Sequence, residues 1–162
     1  MTQTVTIFKN IKETETPFHR NVLFVLNRIK DGATKELVKR IRKEKNKSER
    51  NELKKLLPAI CFSGVFNKRA DNALQTHSGL ICLDFDGYSK NKELLQDKEN
   101  LCKDKYVMSA FISPSGDGLK VIVKIPADVE NHVNYFNSLQ QHFDSPHFDK
   151  VTKNVSRVCY ES

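Results

Sequence analysis

Residues 79–87, Gly79-Leu80-Ile81-Cys82-Leu83-Asp84-Phe85-Asp86-Gly87, decide how this chain is read. The run is apolar until its end, where two carboxylates appear two residues apart. It therefore reads as a strand covered on both faces, with charge only at its C-terminal tip, the place where open α/β sheets put their chemistry. Side chains two apart on a strand share a face, so Asp84 and Asp86 can enter one cleft while Phe85 enters the core. Carboxylates held close repel unless a proton or cation compensates, and a divalent metal with triphosphate oxygens meets that need. A solvent-exposed D-x-D-G turn is the plainer alternative.

Working outward, residues 90–102 (KNKELLQDKENLC) read as a short amphipathic helix and residues 106–126 (YVMSAFISPSGDGLKVIVKIP) as two strands joined by a tight polar turn. A last helix is expected over residues 129–143, with Val133, Phe136 and Leu139 on one face, and residues 155–162 (VSRVCYES) supply a final strand. Upstream, residues 59–66 (AICFSGVF) read as one strand and residues 67–78 as a polar connection. The chain opens with the candidate strand VTIF, followed by a helix capped at Thr16 with Pro17 in its first position and an apolar stripe of Val22, Leu23, Leu26 and Ile29. A second helix starts near Thr34, and a third is capped by Ser48 and ended by Pro58. The turn at 113–118 is too short for a crossover, so the expectation is an α/β (α+β) fold with a mixed β-sheet flanked by helices. One domain over 1–162 is expected, with a basic, mainly helical region (1–57) and an acidic-site core (58–162).

The turn itself carries chemistry. Ser113-Pro114-Ser115-Gly116-Asp117-Gly118-Leu119-Lys120 offers two hydroxyls, two glycines that let backbone donors approach an anion, and a lysine opening the next strand. It is also the composition of an ordinary hairpin turn, and it lacks the G-x-x-x-x-G-K-[ST] spacing of a Walker A loop. Asp149 is placed to be a third carboxylate. Arg157, alternating with apolar residues and opposite Val158 and Tyr160, either binds a phosphate or neutralises a carboxylate. His77 precedes the Asp84 strand and reads either as a group at the mouth of the site or as a polar loop histidine.

The formal charge of +7 is concentrated between Arg28 and Lys55, where twelve bases meet five acids. Such a field attracts phosphate backbones through residues like Lys39, Arg40, Arg42 and Lys43, or is a solvated helical surface. The four cysteines lack C-x-x-C pairing and read as small hydrophobes of a reduced cytoplasmic protein. No apolar run approaches membrane-spanning length.

Together, residues 57–66 (LPAICFSGVF), 78–87 (SGLICLDFDG), 110–125 (AFISPSGDGLKVIVKI) and 148–162 (FDKVTKNVSRVCYES) resemble the VirE-type N-terminal domain found mainly in Bacteroidetes and their phages. That family is related to the archaeo-eukaryotic primases and primase-polymerases. The resemblance implies a metal-dependent nucleotidyltransferase acting in DNA replication, in the cytoplasm of a bacterium or of a phage's host. Asp84, Asp86 and Asp149 would hold Mg²⁺ or Mn²⁺, and Ser113, Ser115, Gly116, Gly118, Lys120 and Arg157 would bind the nucleotide's phosphates. Implied partners are nucleoside triphosphates, single-stranded or primed DNA with RNA as the alternative, and a fused or separate helicase, since family members often continue beyond this segment. Lys120 stands where the superfamily carries a histidine, which opens a second reading as a catalytically inactive nucleic-acid-binding accessory domain. A haloacid-dehalogenase-like phosphatase is a third: LDFDG fits its nucleophile motif, but Tyr88 replaces the usual Thr or Val and no late acidic pair follows.

Overall fold

In the computed structural model, which describes residues 3–162, the chain runs β1 (Thr4–Phe8), β2 (Phe18–Asn21), α1 (Val22–Lys30), α2 (Lys35–Lys43), α3 (Lys47–Lys54), β3 (Ala59–Cys61) and β4 (Gly64–Phe66). It continues through β5 (Leu74–His77), β6 (Leu80–Phe85), α4 (Asn91–Leu101), β7 (Val107–Ile112), β8 (Leu119–Lys124), α5 (His132–Phe143) and β9 (Cys159–Tyr160). The strands form three antiparallel sheets in the orders β2-β1-β3-β9, β4-β5 and β6-β8-β7. This is the expected α/β architecture of strands flanked by helices, with its strands divided among separate small sheets.

The β6-β8-β7 sheet is the centre, and its two faces bury different clusters. Ile81, Leu83 and Phe85 pack with Leu94 of α4 and Phe136 and Leu139 of α5. Leu80 and, in part, Cys82 pack on the other side with Val22 and Val25 of α1 and Val5 and Ile60 of the four-stranded sheet. Coverage of both faces is why the run 80–83 is apolar without alternation. Each large side chain so buried contributes about 1.5–3 kcal/mol.

Several boundaries differ from expectation: residues 74–77 of the polar connection form β5, and the final strand shrinks to β9 at 159–160. Residues 18–21 pair with β1 instead of opening a helix, and α1 starts at Val22, where the Asn21 side chain accepts from the Leu23 amide at 2.8 Å. The β1 ladder satisfies backbone groups that a helix beginning at Pro17 would leave unpaired, and Asn is a strong cap; Leu23 is consequently 60% exposed. Asn46, not Ser48, caps α3, its side chain accepting from the amides of Ser48 and Glu49.

Residues 59–66 do not form one strand. β3 joins the four-stranded sheet and β4 pairs with β5, because Gly64 lies so close to the Thr76 carbonyl that a side chain would collide with it. At the end of the chain, α5 begins only at His132 and leaves Val133 exposed. The Asp128 carboxylate holds the preceding residues in a turn by accepting from the amides of Glu130 and Asn131. Among the described residues no helix is long and apolar enough to cross a membrane.

Candidate metal and phosphate site

The site forms where residues 84–86 leave the central sheet. Residues 147–149 run antiparallel beside them: the Asp86 amide donates to the His147 carbonyl and the Asp149 amide to the Asp84 carbonyl, both at 2.8 Å, around a bridge between Phe85 and Phe148. Strand alternation does the rest. Phe85 and Phe148 turn inward and meet edge to face at 5.4 Å, while carboxylate oxygens of Asp84, Asp86 and Asp149 gather within 4.8 Å of one another. The three acids singled out in the sequence are therefore brought together, Asp149 by a backbone pairing that local sequence does not announce.

Lys120 faces Asp84 directly across the β6–β8 ladder, its Nζ 2.8 Å from Oδ1, with both side chains largely buried. Burial alone would lower the Lys120 ammonium; the Asp84 carboxylate outweighs it, so the lysine is raised above its ordinary value. Lys120 thus spends its charge on Asp84. Arg157 lies 3.9 Å from the other Asp84 oxygen with its side chain 45% exposed. It sits just ahead of the two-residue β9, in a turn closed by its amide on the Asn154 carbonyl, and not within a long strand. It accordingly lines the same cleft as Tyr160, which alternation had placed on the opposite face. Burial raises the Asp86 carboxyl above its ordinary value; Lys120 opposes this while Asp84, Asp149 and Asp117 add to it.

The 113–118 turn closes the floor. The Ser113 amide donates to the Gly118 carbonyl at 2.8 Å and the Gly116 amide to the Ser113 carbonyl at 2.9 Å, so the Gly116 amide is committed to the turn and is not a free anion donor. Gly118 is required by proximity: a Cβ there would run into the Asp86 carboxylate and the Phe85 carbonyl. Ser113 Oγ is buried without a hydrogen-bond partner. Ser115 lines the cleft, whose volume is about 320 Å³.

The basic helices divide unexpectedly. Lys39 pairs with Glu36 on the surface at 3.0 Å, Lys43 is exposed, and Arg40 borders a separate depression between α2 and α3. Only Arg42 of the four reaches the site, donating from Nη2 to the Ser113 carbonyl at 3.2 Å. The cleft wall is instead Lys47, Arg50 and Lys54 of α3, none of which the sequence reading chose. Their spacing of three and four residues was the available signal.

His147 was also missed. It stacks on Tyr88 at 3.8 Å, donates from Nδ1 to the Asp86 carbonyl at 2.9 Å and sets Nε2 3.3 Å from Glu93. His77 is not at the mouth: its Nδ1 accepts from the Gly79 amide and its Nε2 lies 3.0 Å from His132 Nδ1. A larger depression of about 470 Å³ lies between α4 and the end of α5, with Asp97, Asp104 and Asp144 but no lysine or arginine in its lining.

An α/β fold with three converging carboxylates facing a cationic wall defines a protein whose acidic side chains lie close enough together to hold a metal ion. Residues 52–162 match the family model described as BT4734-like, N-terminal domain, and the chain belongs to that family. The match bears out the resemblance to the VirE-type N-terminal domains and with it the link to the primase-polymerase superfamily. No curated protein and no solved structure matches the chain.

Proposed function

We propose that the cleft binds a nucleoside triphosphate with Mg²⁺ or Mn²⁺ and transfers a nucleotide to the 3′-hydroxyl of a template-bound strand, DNA in the first instance. The observation that carries this reading is the gathering of Asp84, Asp86 and Asp149 within 4.8 Å beneath cationic side chains. The donors are all carboxylate oxygens, which suit a hard divalent ion, and burial, with the neighbouring Asp84, Asp149 and Asp117 carboxylates adding to it, holds the Asp86 carboxyl above its ordinary value. A bound divalent ion supplies Lewis-acid stabilisation of the charge that develops during phosphoryl transfer.

The residues of the chain have separable tasks in this reading. Asp84, Asp86 and Asp149 hold the ion, and Lys120 fixes the Asp84 carboxylate in one orientation. Arg157, Ser113 Oγ and Ser115 bind phosphate oxygens, Arg157 because its guanidinium is half exposed and Ser113 because its hydroxyl lacks any other partner. Gly118 admits the Asp86 carboxylate against the backbone. A helicase, fused or separate, would supply the single-stranded template.

One observation favours a second reading, that of a non-catalytic nucleic-acid-binding domain: Lys120 already neutralises Asp84 from within. Incorporation of labelled deoxynucleotide on primed single-stranded DNA, with Mg²⁺ and then Mn²⁺, separates the two. Metal-dependent extension that falls at least ~100-fold in Asp86→Asn is expected, the size of effect seen when one transition-state-stabilising group is removed. Folded wild-type chain that binds the template and never extends it would establish the accessory role.

A further inference from the structure

Two buried side-chain polar atoms among the described residues lack any partner, Arg50 Nε and Ser113 Oγ, and both belong to residues lining the same cleft. Ser113 sits at the acidic floor. Arg50 belongs to α3, a helix with no buried residues that is anchored by partly buried Leu53 against Val38, Ile41 and Leu57. The remaining cleft-facing positions, Lys47, Arg50, Asn51 and Lys54, are all polar. They form one stripe at helical spacing about 10 Å long, seven residues at about 1.5 Å each.

The stripe is graded. Lys47 is exposed, Arg50 and Lys54 are half-buried, and the charges of Asp117, Asp86 and Lys120 reach Lys54. Burial holds the Lys54 ammonium below its ordinary value, Asp117 only partly offsetting this while Arg50 and Lys120 add to the crowding. A row of cations whose inner members, Arg50 and Lys54, are partly desolvated is stabilised by an incoming anion. The phosphates of one nucleotide cluster at the acids. A cation row leading away from them toward solvent matches an anion whose charges repeat along its length.

We infer that the inner face of α3 binds the phosphate backbone of a single nucleic-acid strand and leads it to the acidic floor. The inference rests on the cleft being a nucleic-acid site but not on its being catalytic. Lys47 and Arg50 lie ahead of the family match, which begins at residue 52, so that part of the wall is one the match does not carry, while Lys54 falls within it. It also replaces α2 as the principal strand contact, since Lys39 pairs with Glu36 and neither Lys39 nor Lys43 lines the cleft.

Anisotropy of a fluorescein-labelled oligo-dT, titrated with the chain in EDTA across a salt series, tests it. The Lys47→Ala/Arg50→Ala double variant should bind at least ~10-fold more weakly. Its slope of log K against log salt should shrink by about 1.4, at about 0.7 per single-strand phosphate contact. Far-UV circular dichroism should be unchanged, because neither side chain is in the core. A Lys103→Ala/Lys105→Ala control, which removes equal charge near the start of β7, at the opposite end of that strand from Ser113, should stay within ~3-fold of wild type.

Wild-type affinity and slope in the α3 variant would overturn the inference, as would an equal loss in the control. So would an α3 variant that keeps oligonucleotide affinity and loses only Mn²⁺-dTTP binding, since that assigns the wall to the nucleotide. Strand binding that depends on α3 in a chain that never extends a primer would sink nucleotide transfer and leave this inference standing.

Discussion

The acidic floor and the basic α3 wall face each other across one cleft, and they hold their charges in different ways. On the floor, Asp84 lies under the edge of the sheet core, is matched by Lys120 across a strand ladder, and is flanked by a glycine whose missing side chain makes room for Asp86. On the wall, Lys47, Arg50 and Lys54 project from a helix with no buried residues, and Arg50 Nε has no partner at all. A charge compensated inside the fold is part of the structure. One left uncompensated is available to a ligand. Substitutions on the floor should therefore cost stability, and those on the wall should cost binding.

The largest effect is expected at Lys120. Replacing it with Met keeps the buried stem but leaves the Asp84 carboxylate with only the half-exposed Arg157 at 3.9 Å, a loss approaching the figure of about 3–5 kcal/mol for a buried pair broken on one side. Urea unfolding near pH 7 reads this directly, and adding Asp84→Asn should restore most of the loss, because the stranded charge is then gone. A cost below about 1 kcal/mol in the single variant would show that the floor is not held by its internal pair. Gly118→Ala comes next: the new Cβ meets the Asp86 carboxylate and the Phe85 carbonyl. Overpacking of this kind costs about 1–3 kcal/mol, and a displaced Asp86 should weaken Mn²⁺ binding measured by electron paramagnetic resonance. Unchanged stability and Mn²⁺ affinity would mean the turn moves aside freely.

The same contrast explains what could be read from sequence. Residues 79–87 were legible because a strand covered on both faces must be apolar throughout, so the two carboxylates at its end stand out. The 106–126 hairpin was legible from its turn chemistry. The acidic triad followed from these, although what delivers Asp149 is a backbone pairing between segments some sixty residues apart, a tertiary fact. The wall was not legible for a related reason. α2 carries five lysines and arginines in nine residues and α3 three in eight, so composition points to α2 and cannot say which helix turns its charges to the cleft; that depends on the path of the chain between Lys43 and Lys47. Residues 59–66 misled for want of any signal within them that β3 and β4 would enter different sheets; β4 pairs with β5, a close approach that Gly64 permits against Thr76 twelve residues on.

The smallest expected effect tests the wall most narrowly. The Lys54 ammonium lies below its ordinary value of 10.5 in the folded chain, chiefly through burial. A cation depressed on folding opposes the folded state at every pH where it is charged, and that opposition fades only as pH rises toward 10.5. Removing the charge while keeping the stem, as Lys54→Met does, should leave stability at pH 7 unchanged or raise it by no more than about 0.5 kcal/mol, within the range of surface substitutions. The difference from wild type should shrink further above pH 10. Strand affinity should nevertheless fall in the same variant, since one cation of the row is gone. A Lys54→Met chain that is markedly less stable at pH 7 would place Lys54 with the internally compensated charges of the floor, most directly with Asp117, and would shorten the wall to Lys47 and Arg50.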